Sequence, residues 1–106
     1  MKEAKNLLKT ELLNKIKNKT AILGVVGLGY IGLPLAVEAA KAGFKTTGFD
    51  MQEERVLWVN KGHNYIRDIL DMDLKKVVQE GLLYATSDFS LIKDVDAICV
   101  YVFRLL

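Results

Sequence analysis

A chain of 106 residues, 51% of them hydrophobic, carries enough apolar material for one small core and too little length for a second large domain. Its 15 basic and 13 acidic side chains leave a net charge of +2 and are interspersed, which argues against a dedicated nucleic-acid surface. The single cysteine cannot form an internal disulfide, and Lys and Glu interrupt the first residues before any apolar stretch, so no signal peptide is read and a reducing, cytoplasmic setting is expected.

Residues 2 to 18 place Ala4, Leu8, Leu12 and Ile16 at four-residue steps with Leu7 and Leu13 beside them, the pattern of an amphipathic helix with a narrow apolar stripe. The stripe is expected to dock on its own domain, with a partner surface as the alternative. Lys9, Lys15, Lys17 and Lys19 share the segment with Glu3 and Glu11, which reads as a solvated face rather than a phosphate or membrane patch. This N-terminal helix, residues 1–19, precedes a dinucleotide-binding unit over residues 20–106. The stretch Thr20 to Val37 is uncharged over 18 residues, but its four glycines and Pro34 suit a strand, turn and helix better than a membrane span.

The next segment carries the chemistry. An apolar strand, Ala21 to Val26, runs into Gly27-Leu28-Gly29-Tyr30-Ile31-Gly32, then a helix to Ala42 that Gly43 ends, then a strand from Phe44 to Phe49 followed by Asp50. This is the dinucleotide-binding fingerprint: Gly27 for the tight turn, Gly29 for close backbone approach to a pyrophosphate, and Gly32 for close packing of helix on sheet. The free N–H groups and positive dipole end of the helix start would face the diphosphate. Asp50, 18 residues after Gly32, is placed to accept both ribose hydroxyls of an adenosine. Its charge would repel a 2′-phosphate, favouring NAD over NADP, a preference tempered by Arg55 one helical turn further on.

Beyond it, Gln52 to Lys61 reads as a helix with Val56, Leu57 and Val59 inward, stopped by Gly62; His63 to Leu70 reads as a loop in which His63 is solvated rather than catalytic. Asp71 or Asp73 would cap the next helix, with Leu74, Val77 and Val78 inward and Gly81 closing it. Leu82 to Thr86 forms a third strand, Ser87 or Asp88 opens a short helical turn through Ile92, and Asp94 and Asp96 sit in a solvated turn. Ala97 to Phe103 reads as a fourth strand, apolar on both faces as a buried parallel strand should be, with Cys99 a buried structural thiol. The fold class is therefore α/β: a Rossmann-like half fold whose parallel sheet has strand order 3-2-1-4, with the glycine turn at the switch point. No Cys, His and carboxylate cluster has metal-ligand spacing, and no residue takes a catalytic role.

The runs Val25-Val26-Gly27-Leu28-Gly29-Tyr30-Ile31-Gly32-Leu33-Pro34-Leu35-Ala36, Gly43-Phe44-Lys45 to Gly48-Phe49-Asp50, and Asn60-Lys61-Gly62 to Tyr65-Ile66-Arg67-Asp68-Ile69 resemble the start of the UDP-glucose/GDP-mannose dehydrogenase family. The glycine run and the Tyr-Ile-x-Asp loop are most similar to the branch that oxidises UDP-N-acetylhexosamines at C6, in two NAD-dependent steps, to uronic acids used in surface polysaccharides. The resemblance implies NAD as cofactor, contacts from Tyr30 and Ile31 through the turn backbone, and Asp50 on the adenosine ribose. In that family the strand matching Ala97 to Val100 leads into a Pro-Thr-Pro loop, whereas this chain continues Tyr101-Val102-Phe103-Arg104-Leu105-Leu106. The expectation is a cofactor-binding portion without the catalytic and UDP-sugar domains, inactive alone and meeting a UDP-sugar only in their company. A stand-alone nucleotide-binding or interaction module is the alternative. The apolar fourth strand, or the leucine stripe of residues 4 to 16, is expected to pair with a second copy in a homo-oligomer.

Overall fold

Four short strands, β1 (Ile22–Val26), β2 (Lys45–Phe49), β3 (Leu83–Thr86) and β4 (Ala97–Val100), make one parallel sheet in the order β3-β2-β1-β4. This is a computed structural model, and it describes residues 2–67, 69 and 71–100. Helices α1 (Lys2–Lys17), α2 (Gly32–Lys41), α3 (Glu53–Asn60) and α4 (Asp71–Gln79) and a 3-10 turn over Phe89–Asp94 complete it. The order is the one expected for a half fold of this class, and it leaves β1 flanked by β2 on one side and β4 on the other, with the glycine turn leaving its C-terminal end.

Register decides which residues share a face, because paired residues of parallel strands point the same way. Val25 lies opposite Gly48 and Cys99, and Gly48 opposite Ala85, so these four share one face; Val26, Phe49, Thr86 and Val100 share the other. The first face is well covered. Leu33, Ala36, Val37 and Ala40 recur at helical spacing along α2, and with Leu74 and Val77 of α4 none is more than 2% exposed. Burial of each larger aliphatic side chain is worth about 1.5–3 kcal/mol, so this layer is where the stability of the fold is concentrated. Ile66 and Ile69 join the same core from the segment read as a plain loop. There Asn64 stitches the chain to itself: its Oδ1 accepts from the Ile66 N–H and its Nδ2 donates to the Ile69 carbonyl.

The other face is covered at its centre, where Phe49 is fully buried with the Phe89 ring 5.7 Å away. Towards β4 the cover ends. Ile98 and Val100 on this face are 45% and 55% exposed, and Cys99, on the first face, is exposed as well, so the cover ends at β4 on both sides. The expectation of a strand buried on both faces with a buried thiol is therefore corrected. The cause is position: β4 is the edge of the sheet, and among the described residues no strand pairs beyond it. The continuation of this strand to Phe103, and the apolar end Tyr101 to Leu106, lie outside the described residues, as do Asp68 and Leu70.

The N-terminal helix departs from expectation too. It forms, but Leu7, Leu8, Leu13 and Ile16 are between 42% and 66% exposed, so the stripe does not dock on its own domain. Among the described residues its hydrogen-bonded attachment lies at the C-terminal turn. Lys15 Nζ pairs with Asp96 Oδ1 at 2.9 Å, Asp96 Oδ2 accepts the Ile22 N–H at 2.8 Å, and the Lys15 carbonyl accepts the N–H groups of Thr20 and Ala21. Asp96 is thus a clamp between helix and sheet rather than a residue of a solvated turn.

Smaller differences follow from local geometry. Leu57 is 56% exposed because it lies about 200° around the helix from the buried Val59. Asp71 and Asp73 stand within the first turn of α4, where they face the positive dipole end, rather than at its cap. Asp88 is the residue that caps the 3-10 turn, accepting the Ser90 N–H. No helix among the described residues is long and apolar enough to cross a membrane.

Candidate functional site

The glycine turn is built from both flanking strands. Gly27 leaves β1 at φ 89°, a conformation L side chains rarely adopt, and its N–H donates to the Phe49 carbonyl at 2.7 Å. Gly32 closes the turn from the helix side. A Cβ on Gly32 would fall 1.5 Å from the Gly27 carbonyl oxygen, so the close approach that excludes every side chain is to the turn's own backbone, a tighter constraint than packing on the sheet alone.

Helix α2 starts here with Ile31 at its N-cap position, no side-chain hydrogen bond to the cap and no acidic residue in the first turn. Its dipole end is therefore uncompensated by protein groups at the place where an anion would sit. Tyr30 and Ile31 are 79% and 45% exposed, so what they offer toward the turn is backbone. Gly29 is bare on the side facing α3. The nearest side-chain atom to a Cβ built there is Arg55 Nη1 at 3.6 Å.

Asp50 follows β2 and is 6% exposed. Its Oδ2 accepts the Leu28 N–H at 2.8 Å and Arg55 Nη1 at 3.3 Å; its Oδ1 accepts the Gln52 N–H at 2.8 Å. A carboxylate offers about four lone-pair positions. Two donors occupy Oδ2 and one occupies Oδ1, which leaves one acceptor position of Oδ1 unused among the described residues. The structure thus brings the glycine turn, Asp50 and Arg55 into one cluster at the C-terminal end of the parallel strands, and the carboxylate already serves the turn through Leu28.

Three residues that sequence reasoning did not single out hold this cluster. Leu28, the first variable position of the turn, is fully buried. Tyr65 donates its hydroxyl to the Leu28 carbonyl at 2.7 Å and lies half-buried beside Trp58, ring centroids 5.4 Å apart. Burial, with the Asp50 charge adding to it and Arg55 opposing it, pushes the Tyr65 hydroxyl up to about 12. Asn60, the last residue of α3, gives two reciprocal 2.8 Å bonds to the Ala85 backbone and so fixes the helix against β3. The only available signals were the Asn60-Lys61-Gly62 and Tyr65-Ile66 runs, which mark a motif but not what its side chains reach.

His63 lies apart from the turn. It is exposed, its ring centroid 6.0 Å from that of Trp58, and with Lys61 and Lys75 it borders an open hollow that no turn residue lines. Among the described residues no group of three or more His, Cys, Asp or Glu could hold a metal ion.

Comparison with known proteins agrees with this geometry. The family model described as the UDP-glucose/GDP-mannose dehydrogenase family, NAD binding domain, matches residues 21–103. The UDP-N-acetyl-D-mannosamine dehydrogenase of Pyrococcus horikoshii is 37% identical over 81 residues, covering 74% of this chain and 19% of that protein. The UDP-N-acetyl-D-glucosamine 6-dehydrogenase of Salmonella typhi is 33% identical over 72 residues, covering 68% of this chain and 16% of that protein. A solved UDP-glucose dehydrogenase from the hyperthermophilic archaeon Pyrobaculum islandicum superposes with a TM-score of 0.71 at 28% identity, over 77% of this chain and 19% of that one. The chain thus spans less than a fifth of the length of each of these proteins.

Proposed function

Because the chain belongs to the UDP-glucose/GDP-mannose dehydrogenase family through its NAD-binding domain, we propose that it is the cofactor-binding portion of a nucleotide-sugar 6-dehydrogenase acting on a UDP-N-acetylhexosamine. NAD is the cofactor of that domain, and the backbone N–H groups of Gly29, Tyr30, Ile31 and Gly32 would hold its diphosphate. Asp50, with Arg55 beside it, would hold the adenosine ribose, Oδ1 being the carboxylate oxygen with an acceptor position left. The carrying observation is the buried Asp50 carboxylate, fixed against the turn by the Leu28 N–H with one acceptor position still open.

When bound in the whole dehydrogenase, NAD would supply the hydride acceptor for oxidation at the sugar C6. The role of the present residues is to bind and orient the cofactor. No side chain of the site described has the setting of a nucleophile or a general base, so the chain alone reduces no NAD when given a UDP-N-acetylhexosamine. The setting is cytoplasmic, and two copies associate across the exposed β4 edge or the α1 stripe, a closed two-fold pairing.

Titration calorimetry with NAD tests the site. Weak binding to the unaltered chain is expected, with Asp50→Ala weakening it by about 1–2 kcal/mol through loss of a charged partner for the ribose. Equal affinity in both proteins would remove Asp50 from the site, and robust NAD reduction by the pure chain would overturn the inactive-alone assignment.

A further inference from the structure

Leu28 is held at three independent points although, as the first variable position of the turn, it presents no side chain to a ligand. Its N–H donates to Asp50 Oδ2, its carbonyl accepts the Tyr65 hydroxyl at 2.7 Å, and its side chain presses on β2 so closely that a Cβ on Gly48 would come within 2.7 Å of Leu28 Cδ2. Two of these restraints come from β2 and the residue that follows it. The third comes from Tyr65, 37 residues away in sequence, on the segment after α3.

The geometry points to Tyr65 as a positioning residue for the cofactor's diphosphate: its hydroxyl props the Leu28 carbonyl and keeps the following N–H groups, from Gly29 to Gly32, aimed at the anion. This rests on the cofactor reading above and deepens it. The peptide plane between Leu28 and Gly29 carries the Leu28 carbonyl on one side and the Gly29 N–H on the other. Fixing the carbonyl therefore fixes the direction of the first diphosphate-facing donor. Without the prop, the plane between two residues that include a glycine is free to rotate, and the turn must be ordered at the moment of binding. The hydroxyl suits the task because a tyrosine phenol is protonated and donating near neutral pH, and burial here only adds to that. Tyr65 is itself packed against Trp58, the only tryptophan of the chain, so the state of the prop is visible to indole fluorescence.

The test compares the unaltered chain with Tyr65→Phe, which keeps the ring against Trp58 and removes one oxygen. The probes are ADP-ribose, which carries the diphosphate, and adenosine, which does not; a thermal melt of each protein verifies that it is folded. Expected results are a five- to tenfold weaker ADP-ribose affinity for Tyr65→Phe, adenosine affinity unchanged within about twofold, and a diminished Trp58 fluorescence response to ADP-ribose, consistent with loss of one hydrogen bond. Equal ADP-ribose affinity in the two proteins would overturn the assignment of Tyr65 alone. Equal weakening toward both probes would also overturn it, since a general loosening of the fold does not discriminate between ligands with and without a diphosphate. An unaltered chain that binds neither probe would overturn the cofactor reading, and this assignment with it.

Discussion

The two ends of the sheet differ in surroundings, and the more apolar strand is the less covered: β2 and β3 carry Lys45, Thr46, Thr47 and Thr86, whereas β4 is Ala97-Ile98-Cys99-Val100. At the β3-β2-β1 end, α2 and α4 bury Leu33, Val37, Leu74 and Val77, and the Gly27 and Leu28 N–H groups and both oxygens of Asp50 have partners. At the β4 end, Ile98, Cys99 and Val100 are exposed, and Leu23, Leu35, Ala39 and Ala97 line an open apolar hollow of about 260 Å³. Apolar sequence supplies the capacity for burial, while the elements packed on either side supply the burial itself. β2 and the Tyr65 segment brace the turn independently of β4, so a cofactor site can be ordered beside an exposed edge.

Substitutions at the two ends should separate sharply. Gly32→Ala is expected to cost about 3 kcal/mol or more, because its Cβ meets the Gly27 carbonyl at 1.5 Å and neither backbone segment can yield cheaply. Urea denaturation followed by circular dichroism measures this; a cost under about 1 kcal/mol would mean the turn is not packed as described. Leu33→Ala, in the covered layer, should cost about 2–5 kcal/mol by the same measurement. If it costs no more than a surface change, the braced end is not the stable end.

Acid should act at the α1 attachment before it acts on the core. The Ile22 N–H and the Lys15 ammonium hold the Asp96 carboxyl below the usual aspartate value. A carboxyl lowered on folding contributes stability that is fully present above its unfolded pKa and is lost as pH falls through the folded one. Stability should therefore decline below about pH 4, and Asp96→Asn should flatten that decline. An identical acid slope in both proteins would break the clamp assignment.

The smallest change in stability belongs to the bare edge. Val100→Ser is expected to shift unfolding by no more than about 0.5 kcal/mol while reducing self-association measured by light scattering. A large loss of stability in a monomer would show that β4 is covered from within its own chain.

Much of this was legible in the sequence where the determinants are local. The run from Ala21 to Asp50 holds its strand, turn, helix and strand within 30 residues, and each expected element forms within a few residues of its expected bounds. Strand order followed as well, since crossover handedness leaves few choices. Contacts between distant segments were not legible. Nothing around Tyr65 announces that its hydroxyl reaches Leu28, and nothing in Ile66 and Ile69 distinguishes a core-facing loop from a solvated one. The apolar run of β4 and the leucine stripe of α1 misled for the complementary reason: hydrophobicity records a need for cover without naming the neighbour that provides it.

A backbone amide spectrum of the nitrogen-15-labelled chain, recorded as NAD is added, reads the location of the cofactor directly. Shifts are expected at Gly27, Gly29, Tyr30, Ile31 and Gly32 and at Asp50 and Arg55, with the amides of β4 and of the hollow around Trp58 and Lys75 unmoved. Shifts confined to β4 or to that hollow, with the glycine turn silent at saturating NAD, would contradict the assignment of the site.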